Sequence, residues 1–195
     1  MEAILNVLNQ CAVSFDLPIL DWIQATLQSP FMDKFMPFIT VFGNGGIFWI
    51  AWSVLLILFP KTRRTGLGMG FALMMGLIVC NLILKPGVAR PRPYDMQAEM
   101  GVVIDLLVKR SHDFSFPSGH TIASFEACTV LMLGDKKLGI PATVLAILIA
   151  FSRMYLYVHY PTDVIASVIL GTIFGLIGYF LSQKIRLPKK GKYAR

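Results

Sequence analysis

Residues 65–84 read TGLGMGFALMMGLIVCNLIL, twenty positions without a charge, closed by Lys85. A helix needs about 20 apolar residues to cross a bilayer, and this run has that length. Further apolar runs cover about 45–59 before it, and 117–134, 138–157 and 164–183 after it, with Glu126 and Arg153 the charges inside them. The expected fold is all-α: a polytopic membrane helix bundle of five full spans in one domain, 1–195. Composition agrees. Hydrophobic residues make up 55% of the chain and charged ones 15%, against about a quarter charged in soluble domains. A soluble class is excluded, and with it the usual link between a +7 net charge and nucleic acid. The partner implied is a lipid bilayer.

The region before these spans, 1–44, reads differently. Ile4, Leu5, Leu8, Ala12 and Phe15 recur at helical spacing, as do Ile19, Ile23 and Leu27, with acids scattered among them. This pattern predicts an amphipathic helix lying in the interface or packed on the outside of the spans. From Phe35 to Pro60 charge is absent, but Pro37 and the cluster Gly43-Asn44-Gly45-Gly46 break the run. A short or re-entrant helix followed by a span over 45–59 is expected. Reading 14–42 as one more span gives six.

Charge orients the bundle. The turns at 61–64 and 136–137 and the basic tail, 185–195 with Lys184 before it, hold eleven of the eighteen lysines and arginines on one side. The positive-inside rule makes that side cytoplasmic. Five spans then place the C-terminus inside and the N-terminus outside. The expected location is a cytoplasmic membrane. No signal peptide is expected, because the start of the chain is not basic. The scattered cysteines Cys11, Cys80 and Cys128 have no metal-ligand spacing and read as free thiols. Gly171 and Gly175 have the spacing of closely packed membrane helices. Packing within the chain is the favoured reading, and a homodimer is left open.

Three polar clusters fall at the outer ends of the spans: Lys85 with Arg90-Pro91-Arg92-Pro93; Pro117-Ser118-Gly119-His120; and Ser152-Arg153 with His159 and Asp163. Charges at membrane level are expensive and mark sites. Pro117 suits the first position of a helix, and Gly119 lets a ligand approach the first-turn amides, an anion site. Lys85, Arg92 and Arg153 supply three cations for an anion of two or more charges. Ser118 and the Gly119 N–H add neutral donors. His120 and His159 can divide nucleophile and acid roles. Pro161 opens the last span, so a bend can bring Asp163 to one ring nitrogen of His159 and leave the other free to attack.

These clusters resemble the signature of the type 2 phosphatidic acid phosphatase family, integral-membrane lipid phosphatases. Its first motif, Lys, six residues, Arg-Pro, matches Lys85 and Arg92-Pro93. Its second, Pro-Ser-Gly-His, matches 117–120. Its third, Ser-Arg, five residues, His, three residues, Asp, matches Ser152-Arg153, His159 and Asp163. Arg90-Pro91 duplicates Arg92-Pro93, but only Arg92 has the family spacing. The resemblance implies two-step phosphotransfer without metal or other cofactor. His159 attacks phosphorus, Asp163 orients it, and His120 protonates the leaving lipid oxygen. Lys85, Arg92, Ser118, Gly119 and Arg153 bind the phosphate. The substrate class implied is a membrane lipid phosphate or diphosphate, with undecaprenyl diphosphate first for an outward-facing site. A vanadate-dependent haloperoxidase and a lipid scramblase are the rival classes. The first sits poorly with five spans, the second with two histidines and an orienting aspartate. Two polar residues stand outside the signature. His112 reads as a solvated loop residue. Glu126 lies six residues beyond His120, about 600° of helical turn, and is expected to point away from it.

Overall fold

The computed structural model describes residues 2–186, and most of the basic tail expected over 185–195 lies outside the described residues. All regular elements among them are helical. The chain begins as a rod: α1 (Glu2–Cys11) continues through a π-helical turn, Ala12–Asp16, into α2 (Leu17–Leu27). The stretch Ala3–Leu27 is long and apolar enough to cross a membrane. Its contacts place it otherwise. Leu8 and Asp16 touch Arg90, Asp21 touches Tyr157, and Gln24 touches the Tyr155 carbonyl. Those partners all sit at the end of the bundle that carries the three polar clusters, here the motif end. From Leu8 to Gln24 the rod advances ~24 Å without leaving that end. It therefore crosses the motif end instead of running along the spans. Leu17, Leu20 and Ile23 are buried, while Val7, Val13, Phe15 and Trp22 are exposed. That is the division expected of an interfacial helix.

The first span departs from the expectation at 35–59. α3 (Met32–Val41) and α4 (Ile47–Leu58) form one kinked helix. α4 alone is 12 residues, ~18 Å, too short for the ~30 Å hydrocarbon core; α3 supplies the rest. The glycine cluster is the kink. Gly45 and Gly46 have φ of +57° and +67°, where side chains with a Cβ are strained. The second span is α5 (Arg63–Gly76), a π-helical stretch Leu77–Leu84, and α6 (Lys85–Val88). After α7 (Pro93–Glu99) and a loop come α8 (Gly119–Gly134), α9 (Lys136–Tyr155) and α10 (Pro161–Lys184). α8 has 16 residues, short for a span, but it lies lengthwise between α9 and α10. Its Ala127, Val130 and Leu131 join Trp49, Met69, Ala146 and Ile149 in the central core.

Small residues bring these helices close. A Cβ at Gly171 would meet the Ile122 carbonyl and Phe125, one at Gly175 the Thr129 side chain, and one at Gly178 the Gly68 carbonyl. The glycine stripe of α10 thus packs on α8 and α5 within the chain. At the end opposite the motifs, Arg64 Nη1 donates to the Gln183 carbonyl at 2.9 Å, so the basic turn at 61–64 adjoins the end of α10. The free thiols Cys80 and Cys128 are buried, and Cys11 is half-buried. Gly175→Leu should overpack the α8–α10 contact. At ~1–3 kcal/mol for such changes and ~2–4 °C per kcal/mol at this size, the melting temperature in detergent should fall by ~2–12 °C. An unchanged melting curve would refute the packing described.

Candidate active site

His159 is delivered by a sharp turn between α9 and α10. The amides of Val158 and His159 both donate to the Arg153 carbonyl, at 3.1 and 3.3 Å. Tyr157, between them and α9, has φ +58°, a strained value for an aromatic residue. The strain is held in place. Tyr157 is buried; its hydroxyl donates to Asp21 at 2.6 Å and accepts from Gln97 at 2.8 Å. Pro161 then opens α10, as expected, and Asp163 caps it by accepting from the Tyr160 amide at 3.1 Å. The bend brings Asp163 Oδ2 to 3.5 Å from His159 Nδ1. Ser115 Oγ donates to the same carboxylate oxygen at 2.5 Å and lies 3.4 Å from Nδ1. Nδ1 therefore faces acceptors, and Nε2 faces the cations, 3.3 Å from Arg92 Nη1. Burial pushes the His159 imidazole well below its ordinary value, and the charges of Arg92, Arg153 and Lys85 add to the fall. With Nδ1 turned to carboxylate and hydroxyl oxygens, Nε2 is the nitrogen that faces the cationic side of the site.

The three cations named from the sequence converge here. All three nitrogens of Arg92 are held: Nη1 donates to the Val158 carbonyl at 2.6 Å, Nε to the Asp113 carbonyl at 2.9 Å, and Nη2 to Asp113 Oδ1 at 2.6 Å and the Phe114 carbonyl at 3.4 Å. Lys85 pairs with the other oxygen of Asp113. Arg153 is buried and donates to Thr40 Oγ1 at 2.5 Å. Asp113 thus lies across Lys85 and Arg92. Burial alone would raise its carboxyl, but the bonds from Lys85 and Ser111 and the charge of Arg92 hold it well below the usual carboxylate range. A carboxylate occupies the position where these cations can grip an anion.

The second motif forms the neighbouring wall. Pro117 is not the first helical residue. It follows a cis peptide bond, and the helix begins at Gly119 with Ser118 as N-cap. Ser118 is fully buried, and its Oγ accepts from Thr121 Oγ1 at 3.0 Å. The amides of Gly119 and His120 belong to the first turn, which lacks intrahelical acceptors. His120 Nε2 donates to Asn44 Oδ1 at 2.8 Å, leaving Nδ1 to exchange a proton. The kink in the first span makes this contact possible, since a Cβ at Gly43 would strike the His120 ring.

From here a cavity of about 620 Å³ runs between α4, α5 and α8. Lys85, Asp113 and His120 line one part, and Gly70, Met74 and Glu126 another. Glu126 shares this cavity with His120, but its carboxyl faces Gly76 of α5 while the His120 ring faces Gly43 and Asn44, so the two point apart, as helical spacing predicts. The cavity spans the arc between α4 and α5, wide enough to include both. Its carboxyl fits because residue 76 is glycine. His112 is exposed, as expected.

Several residues at the site escape sequence reasoning: Thr40 and Asn44 from the first span, Asp113 and Ser115 from the loop, and Asp16 from the rod. Arg90, ambiguous by spacing, is resolved. It is buried and pairs with Asp16 and Asp163, away from Lys85. The one available signal was a lone acid or amide inside an otherwise apolar or glycine-rich helix, as at Asp16 and Asn44.

The profile of the PAP2 superfamily matches residues 65–187, which include all three clusters. The chain belongs to the PAP2 superfamily. Undecaprenyl-diphosphatase of Sulfolobus acidocaldarius is 32% identical over 142 residues, covering 72% of this chain and 66% of that protein. Undecaprenyl-diphosphatase BcrC of Bacillus subtilis is 26% identical over 155 residues, covering 80% and 77%. Among solved structures, Aquifex aeolicus LpxE superposes with a TM-score of 0.71 at 28% identity, covering 84% of this chain and 93% of that one. The PAP2-type phosphatidylglycerolphosphate phosphatase of B. subtilis superposes at 0.65 and 26%, covering 82% and 80%. The fold is thus that of PAP2 membrane phosphatases, and the enzyme class follows from membership.

One measurement checks the electrostatics of this PAP2 site. In nitrogen-15 histidine spectra of the protein in nanodiscs, the His159 signal, assigned with His159→Gln, should stay in the neutral form to well below the ordinary histidine midpoint. A midpoint near the ordinary ~6.5 would contradict the buried, cation-ringed position.

Proposed function

We propose that this PAP2 chain hydrolyses a membrane lipid phosphate or diphosphate in two steps through a phosphohistidine on His159, with undecaprenyl diphosphate as the leading substrate. The observation that carries the reading is the opposed environment of the two His159 nitrogens, Nδ1 against Asp163 and Nε2 toward Arg92. In the first step the terminal phosphate displaces Asp113 from Lys85 and Arg92, and Arg153 and the Gly119 amide take further oxygens. Nε2 attacks phosphorus in line, and the bond from phosphorus to the bridging oxygen breaks. His120 gives that oxygen its proton. In the second step His120 takes a proton from water, the water oxygen attacks phosphorus, and the P–N bond breaks to release inorganic phosphate. Preorganised cations around the transferring group supply most of the stabilisation. Ser118, buried as the helix cap, adds a hydroxyl donor behind Gly119. No metal or other cofactor enters this scheme.

Undecaprenyl diphosphate is supported by two relatives that carry it in their names. Phosphatidylglycerol phosphate, phosphatidate and lipid A phosphate are the alternatives, because the residues described grip the phosphate and leave the tail unspecified. The motif end faces outside a cytoplasmic membrane in this reading, with the C-terminus inside. The basic turn beside the end of α10 supports that orientation. A scramblase has no use for a buried histidine backed by an aspartate.

Phosphate release by purified protein, measured in chelator across these lipids, tests the proposal. Undecaprenyl diphosphate should give the highest kcat/KM. His159→Ala should abolish release, and His120→Ala should lower it by ~10²–10⁴-fold, the usual worth of a general acid. Full activity in folded His159→Ala protein would refute the reading.

A further inference from the structure

Arg90 is absent from the phosphate scheme, yet both of its terminal nitrogens are fully engaged at the motif end. Its side chain is fully buried. Nη1 donates to Thr162 Oγ1 at 2.9 Å and to Asp163 Oδ1. Nη2 donates to Asp16 Oδ2 at 2.8 Å and to the Leu8 carbonyl at 2.7 Å. Its guanidinium carbon lies 3.7 Å from the centre of the Tyr160 ring. One side chain thus joins the N-terminal rod to the first turn of α10 and to Asp163, the residue that faces His159.

Asp16 is equally committed. It is fully buried, and it accepts from the Thr162 amide at 2.9 Å and the Thr162 hydroxyl at 2.7 Å as well as from Arg90. It ends the π-helical turn Ala12–Asp16. A widened turn of this kind re-aims a side chain and recurs at functional sites. The superfamily profile begins at residue 65, so Asp16 and the N-terminal rod lie outside the residues it matches.

We infer that Arg90 and Asp16 are positioning residues for the nucleophile: Asp16 divides the Arg90 guanidinium and so fixes how Asp163 is presented to His159. The fork geometry explains why. Arginine prefers to give two parallel bonds to one carboxylate. Here one prong is taken by Asp16, and Asp163 keeps Oδ2 for Ser115, the Tyr160 amide and His159. Without Asp16, both prongs can turn to Asp163, draw its charge toward Arg90 and weaken its hold on Nδ1. A further effect is electrostatic. The charged and titratable groups facing His159 are Asp163 and Arg92 directly, then Arg153, Lys85, Asp113 and His120. Those facing Arg90 are Asp16, Asp163 and Tyr160. Removing the Asp16 charge makes the surroundings of His159 more positive, so the imidazole protonates only at lower pH. Replacing Arg90 by lysine keeps the charge and removes the fork.

The inference rests on His159 as nucleophile, and its test carries a readout independent of turnover. Asp16→Asn and Arg90→Lys are compared with wild type in two measurements: phosphate release across pH 4.5–8.5, and the His159 nitrogen-15 titration. Asp16→Asn should lower kcat roughly tenfold, leave KM within about twofold, and move both the acid limb of kcat/KM and the His159 titration to lower pH. Arg90→Lys should lower kcat at least tenfold without moving either. Asp16→Glu should recover part of the loss. Folded Asp16→Asn protein with wild-type kcat and an unmoved titration overturns the inference. If Asp16→Asn does not fold, wild-type kcat in Arg90→Lys overturns it. If wild type releases no phosphate from any lipid, the proposed reaction fails. The His159 titration then still decides the coupling: a shift in Asp16→Asn supports it, and no shift overturns it.

Discussion

Four cations, Lys85, Arg90, Arg92 and Arg153, are gathered at one end of an apolar bundle, and they must be kept there. Buried like charges repel, and each loses hydration as well. The surrounding structure can be read as the answer to that constraint. Asp16 and Asp163 neutralise Arg90 permanently, deep in the packing. Asp113 neutralises Lys85 and Arg92 from a half-exposed loop. Arg153 has a hydroxyl, Thr40, and carbonyl acceptors serve Arg92. The difference in burial matters. The Arg90 group is closed on itself and holds geometry, whereas the Asp113 group is open to exchange for an anion of the same shape.

The backbone carries its own share of the cost. The positive φ at Tyr157 and the left-handed pair Gly45-Gly46 are two places where the chain leaves its ordinary conformations. Each aims one histidine. The Tyr157 turn swings His159 back over α9. The glycine kink brings Asn44 against His120 and keeps the Gly43 position flat enough for the ring. The strain at Tyr157 persists only where packing overdetermines it, and its hydroxyl is tied to Asp21; glycine takes the kink without strain, and Trp49 Nε1, donating to Ser124 at 3.0 Å, fixes the helix beyond it.

Much of this was legible beforehand, for a physical reason. Membrane spans announce themselves by length and absence of charge, and cations stranded at their ends have few innocent explanations. The three clusters and their common face follow from those facts alone. What was hidden depends on helix register across space. Asn44 and His120 are 76 positions apart, and nothing local pairs them. The break at Gly43–Gly46 looked like the end of a piece because glycine and proline usually punctuate. Here the flanking halves are each too short to cross alone, so they continue through the kink. Angular spacing separates Glu126 from His120, but it says nothing of how wide an arc a cavity covers, so the cavity they share stayed hidden. Arg90 was ambiguous for the same kind of reason. Only the position of the N-terminal rod shows that its carboxylate partners differ from those of Arg92.

The central claim is that phosphorus is transferred to Nε2 of His159 before water receives it. Rapid quenching of turnover on a phosphorus-32 lipid substrate tests this most directly, with the label located by mass spectrometry. The account predicts a phosphoryl group on His159, stable to alkali and labile to acid, formed as fast as lipid product and lost as phosphate appears. Turnover at full rate with no phosphoenzyme, or with the label on another residue, would contradict it.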